Sequence, residues 1–86
     1  MNEVDVFRAL ANPTRLKILD FIKNDTKCIC DIIPFTDKSQ PNVSHHIKIL
    51  KNAELISEHR DKTKILIKPS NKKIFEIIDM VMRMKK

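Results

Sequence analysis

The chain of 86 residues contains no glycine. Glycine is the residue that reaches φ > 0 without steric cost and lets backbone approach a phosphate closely. A P-loop and a dinucleotide-binding G-x-G-x-x-G loop are therefore excluded, as is the G-x-S-x-G nucleophile elbow. Length allows one domain, residues 1–86, near the small end for independent folding. A core of that size leaves little room for an enclosed active site. The expectation is a non-enzymatic chain that has a binding surface or completes itself by pairing.

Charge narrows the partner. The net charge is +6, but residues 1–37 carry five basic and six acidic side chains, whereas residues 38–73 carry nine basic and three acidic. The whole excess lies in one central stretch, the expected footprint of a polyanion. No run reaches the roughly 18 apolar residues of a membrane span. The start, Met1-Asn2-Glu3-Val4-Asp5, is acidic where a signal peptide is basic. The chain reads as cytoplasmic, with no membrane partner. Two cysteines, Cys28 and Cys30, are too few and too close for a secreted disulfide framework.

No repeats, linkers or low-complexity segments appear. Val4, Phe7 and Leu10 predict a first helix over about 3–10. Asn12-Pro13 restarts the chain as N-cap and first helical residue. Leu16, Ile18, Leu19 and Ile22 then follow at helical spacing until about Asn24-Asp25. Thr26 is placed to cap a short third helix, which Pro34 should end or finish in an irregular turn. Ser39 caps a fourth helix, Gln40-Pro41-Asn42 forms its first turn, and Val43, Ile47 and Leu50 make its core-facing stripe. Residues 55–60 and 64–68 read as two strands of a hairpin turning at Asp61-Lys62-Thr63. Without glycine, Asp61 or Lys62 must supply φ > 0, or the loop is of a wider type. Pro69-Ser70-Asn71 ends the second strand and caps a last helix to about Met84.

That last helix is too apolar for its place. Ile74, Ile77, Ile78, Val81 and Met84 form one face, and Phe75, Met80 and Met82 widen it. A small monomer needs one stripe, so the surplus predicts a partner helix in a homodimer. The candidate seam is Val4, Phe7, Ile74, Ile77, Ile78 and Val81, with residues 71–86 as the dimerisation helix.

The predicted order, α-α-α-α-β-β-α, is mainly α with a small β-hairpin and describes a winged helix-turn-helix. Such a fold presents its second helix to the DNA major groove. Gln40 and Asn42 have the amide geometry to pair bidentately with adenine. Ser39, Ser44, His45 and Lys48 are placed to reach phosphates. Arg60, Lys62 and Lys64 surround the hairpin tip and suit a wing on the DNA backbone or in the minor groove. His45 and His46 are adjacent and do not share a helix face, so they are not a chelating pair. His46 is expected at the helix edge with a local bond, and His59 in solvent.

Three blocks resemble the ArsR/SmtB family of winged-helix repressors. They are Ala9-Leu10-Ala11-Asn12-Pro13-Thr14-Arg15-Leu16-Lys17-Ile18-Leu19, Cys28-Ile29-Cys30-Asp31, and the run from Ser39 to Leu50. The resemblance spans about residues 4–68. It implies a homodimeric repressor of a double-stranded DNA operator, with the first and last helices as dimer seam. It also implies release by a soft metal or metalloid at the Cys-x-Cys site. Thiolates suit As(III), Cd(II) or Zn(II), and no ion is required for folding. A third cysteine three residues after the second, frequent in arsenic-sensing members, is Ile33 here. The last helix has no His, so the family's metal site there is expected to be absent. A Cys28–Cys30 disulfide is expected to be strained, particularly within a helix. Alternatives are a constitutive or redox-responsive DNA-binding regulator, and a winged-helix protein–protein adaptor.

Overall fold

The computed structural model describes residues 2–85; Met1 and Lys86, the outermost residues of the predicted domain, lie outside them. The elements are α1 (Glu3–Leu10), α2 (Pro13–Ile22), β1 (Lys27–Cys28), α3 (Ile29–Thr36), α4 (Gln40–Asn52), β2 (Ile56–Asp61), β3 (Lys64–Pro69) and α5 (Lys73–Met84).

Side-chain caps decide where the helices begin. Asn2 Oδ1 accepts from Asp5 N at 2.9 Å. Asn12 Oδ1 accepts from Thr14 N at 2.9 Å and Arg15 N at 3.1 Å, and Pro13 follows where no N–H is needed. Ser39 Oγ accepts from Asn42 N at 3.3 Å. Each such cap satisfies an orphan donor, at ~1 kcal/mol. Asn71 Oδ1 accepts from Lys73 N at 2.9 Å, so α5 starts two residues later than predicted.

The predicted order omits one strand. Lys27 and Cys28 pair with Ile67 and Leu66 and add β1 to the hairpin, giving a three-stranded antiparallel sheet of order β1-β3-β2. The free edge of β3 supplies the ladder partners that two residues cannot supply themselves. Helix α2 accordingly stops at Ile22, short of Asn24-Asp25. Thr26 does not cap α3; Cys28 does, its sulfur accepting from Cys30 N at 3.1 Å.

Pro34 lies inside α3 without ending it. Its ring removes one donor, the one owed to the carbonyl of the exposed Cys30, which water can reach. The last turn is then held by Thr36 Oγ1 donating to Ile33 O at 3.0 Å and Asp37 N donating to Pro34 O at 3.3 Å. Asp37 closes the helix at φ 58°.

The core joins every helix to the sheet. Ala9 from α1, Ile18, Leu19 and Ile22 from α2, Ile32 from α3, Val43, Ile47 and Leu50 from α4, Ile56 and Ile67 from the sheet, and Ile74 and Phe75 from α5 are all buried. Each large apolar side chain so buried contributes ~1.5–3 kcal/mol. Phe21 and Phe35 stack at 4.0 Å between ring centroids and pin α2 to α3.

Candidate DNA-binding face and cysteine pair

Helix α4 is two-sided. Val43, His46, Ile47 and Leu50 face inward at i, i+3, i+4, i+7. Ser39, Gln40, Asn42, Ser44, His45 and Lys48 are all exposed. The hairpin continues this surface. Strands β2 and β3 pair from Ile56↔Pro69 to Asp61↔Lys64, and Arg60, Lys62 and Lys64 are exposed around the tip. Lys62 adopts φ 56° and so makes the turn in place of glycine. Lys51 Nζ lies 3.4 Å from Glu58 Oε1, which ties the end of α4 to β2. All nine predicted DNA contacts are therefore solvent-facing on the helix and wing.

His46 departs from expectation. It is 8 % exposed, and its bond is long-range: Nδ1 lies 3.0 Å from Arg15 Nη1 on α2. A helix edge facing solvent would have offered local partners only. Burial holds the imidazole below its usual pKa, aided by the charges of Arg15, His45 and Lys38. His45 and His59 are exposed, as expected. Sequence reasoning missed Arg15. The available signal was a cation in the first turn of α2, where the helix dipole disfavours it and no acidic residue accompanies it.

The cysteines sit where strand becomes helix. Cys28 is buried on β1 and Cys30 is exposed in the first turn of α3. The two are joined as a disulfide across a Cα–Cα distance of 5.1 Å, within the ordinary range for such bridges. The expectation that the third helix holds Cys28 is corrected, because Cys28 precedes α3 and the bridge spans the strand-to-helix junction. A cleft of ≈ 410 Å³ borders Cys28 and Cys30 together with Gln40, Thr63 and Lys64. Cysteines and reading residues, separate along the chain, are neighbours in space.

A metal fits this arrangement poorly. The two sulfurs are bonded to each other, Ile33 occupies the place of a third thiolate, and no group of three His, Cys, Asp or Glu side chains gathers among the described residues. On α5, Asp79 is 2.9 Å from Arg83 and Glu76 is exposed.

The proposed seam is partly outward. Phe7 is 61 % exposed, Ile77 43 % and Val81 52 %, and Val4 is also exposed. Ile78 is half-buried. Ile74 is corrected to a core residue, 5 % exposed, because the first turn of α5 packs onto its own domain. Clefts of ≈ 340 and ≈ 320 Å³ run between α1 and α5, lined by Phe7, Leu10 and Ile77 in both cases.

The signature of the arsR family of bacterial regulatory proteins matches residues 12–58, from the cap of α2 to the middle of β2. The chain belongs to the arsR family. Among arsR-type relatives, the transcriptional repressor SdpR of Bacillus subtilis is 48 % identical over 56 residues, 65 % of this chain and 62 % of that protein. The arsenical resistance operon repressor of Staphylococcus xylosus is 36 % identical over 59 residues, 69 % of this chain and 57 % of that one. The matches thus span about three fifths of these two relatives. The homodimeric winged helix-turn-helix DNA-binding domain of Mb0332 from Mycobacterium bovis superposes with a TM-score of 0.85 at 23 % identity, covering 95 % of this chain and 76 % of that one. The fold is therefore a winged helix, as predicted for this arsR-family chain. Among the described residues no helix is long and apolar enough to cross a membrane.

Proposed function

We propose that two copies of this chain form a transcriptional repressor that binds a palindromic DNA operator and leaves it when the Cys28–Cys30 pair changes state. The observation that carries the reading is the single exposed surface formed by Ser39, Gln40, Asn42, Ser44, His45 and Lys48 on α4 with Arg60, Lys62 and Lys64 on the wing. Gln40 and Asn42 read adenine edges, and the remaining groups hold phosphates. The arsR-family relatives that are repressors support it, as does the homodimeric winged-helix neighbour. The exposed apolar residues of α1 and α5 supply the dimer seam.

Cys28 is in register with Leu66 on β3, the wing's second strand, and Cys30 opens α3, which leads through the Asp37 turn into α4. A change at either sulfur therefore acts on both halves of the reading surface. A soft ion such as As(III), Cd(II) or Zn(II) needs the pair reduced and a third donor from outside the described residues. The bonded sulfurs favour a thiol–disulfide response as a second reading. In it, a low-molecular-weight dithiol reduces the Cys28–Cys30 bond to two thiols and is itself oxidised to a disulfide.

The test is fluorescence anisotropy on a duplex selected by the protein from a random pool. Wild type and a Cys28→Ser/Cys30→Ser variant are compared oxidised, reduced, and reduced with each ion. The variant is expected to bind like wild type and to respond to nothing. Failure to enrich any duplex overturns the DNA reading. Release of the variant overturns the site assignment. Response of the reduced wild type to an ion selects the soft-ion reading; response to dithiol alone selects the thiol–disulfide reading.

A further inference from the structure

Arg15 makes three bonds to two other helices. Its Nε donates to Ala9 O at 2.8 Å and its Nη2 to Arg8 O at 3.1 Å, both in the last turn of α1. Its Nη1 faces Nδ1 of His46, in the middle of α4, at 3.0 Å. Both carbonyls lie in the last turn of α1, where Arg8 O also accepts from Ala11 N at 3.1 Å, so the guanidinium adds donors where the intrahelical ladder runs out. One rigid guanidinium fork thus spans the helix that carries Val4 and Phe7 and the helix that carries Gln40 and Asn42.

We propose that Arg15 and His46 are a positioning pair that fixes the attitude of the DNA-reading helix α4 to α1. The proposal rests on the DNA-binding reading. Sequence selectivity in a dimer depends on how each reading helix is held relative to the seam, since two half-sites must be met at once. The Arg15–His46 bond is a side-chain hydrogen bond joining α4 to the α1–α2 unit, and it enters α4 one residue from His45 and four from Asn42.

The chemistry of the bond fixes the ring's state. A guanidinium only donates and does not lose its proton. Nδ1 of His46 must therefore accept, which leaves the imidazole neutral with its proton on Nε2. Protonation would turn Nδ1 into a donor facing a donor. It would also place a second cation against Arg15 from α2, with Lys38 in the turn before α4 and His45 on α4 itself adding to the repulsion. Burial and these same charges keep the ring neutral at pH 7. The link holds near neutrality and opens in acid.

The experiment measures the ratio of affinities for the selected duplex and for a scrambled one, from pH 8 to pH 5, by anisotropy. Arg15→Lys keeps the charge but loses the fork. It is expected to lower the ratio about tenfold at pH 7.5, with affinity for the scrambled duplex unchanged. His46→Gln keeps an acceptor oxygen and is expected to retain the ratio at pH 7.5. Wild type should lose selectivity as the pH falls toward 5, below the usual imidazole range because burial holds the His46 pKa down, and His46→Gln should lose less because its link has no ring to protonate. Thermal unfolding of each variant shows that it is folded. Should Arg15→Lys keep full selectivity, or His46→Gln show the wild-type pH profile, the proposal is overturned. A wild type with no preference between duplexes would instead overturn the DNA reading, and the pair's role with it.

Discussion

Lys62, at the wing tip, holds φ 56° with a full side chain, Asp37 holds φ 58° where it closes α3, and Glu54 holds φ 60° just after α4. A left-handed L-residue costs ~1–2 kcal/mol, while glycine forfeits ~0.5–1 kcal/mol in backbone entropy. Lys62→Gly is therefore expected to raise stability by up to about 1 kcal/mol, read as a later urea midpoint at unchanged slope. It should also weaken DNA binding equally on all sequences and lower the salt slope by about one, because one phosphate contact is lost. If stability and affinity instead fall together, the wing tip is held by more than its turn. The demand at this position was legible from the missing glycine alone. Arg15 was not, because helical spacing marks it only as polar; its three acceptors come from Arg8, Ala9 and a residue 31 positions away.

The caps and apolar stripes placed α1, α4 and the hairpin to within a residue or two, because each of those segments carries its own signal. Strand β1 does not. Two residues have no period, and Lys27-Cys28 is a strand only because β3 has a free edge beside it. Helix α3 follows the second of its two readings: Pro34 does not stop it, and a last turn to Thr36 is held by side-chain and i+3 bonds. Pro34→Ala would return a donor to the carbonyl of Cys30. A mid-helix proline costs ~3 kcal/mol, and for one so near the helix end about 1–2 kcal/mol of that should be recovered, measured by chemical denaturation. An unchanged midpoint would mean that the Cys30 carbonyl is as well served by water as by an amide. The candidate site shows the same division. The exposure of its proposed reading residues was legible from the helix start and the charge, but the closeness of the cysteines to Gln40 and Lys64 arises from the sheet that β1 completes.

Across the whole molecule, the fold buries one face of α5 and leaves another. Ile74 and Phe75 close the domain's own core, and Ile77 and Val81 continue outward beside Phe7. Val81→Glu places a charge at the centre of the proposed seam without touching that core. It is expected to give a folded monomer by sedimentation equilibrium, with an unaltered circular dichroism spectrum and a loss of tight binding to a two-half-site duplex. A Val81→Glu protein that remained dimeric would place the seam elsewhere. The exposed face also has a quantitative consequence. Where protomers are scarce and the pair is the minor species, the amount of dimer follows the square of protomer concentration. Occupancy of the operator then rises and collapses more steeply than the protein's own abundance. Halving the protomer concentration would by itself cut the bound fraction about fourfold at low occupancy. A seam on the bare stripe of α1 and α5 would thus make operator occupancy a gauge of how many copies of the chain are present, alongside the proposed response at the cysteines.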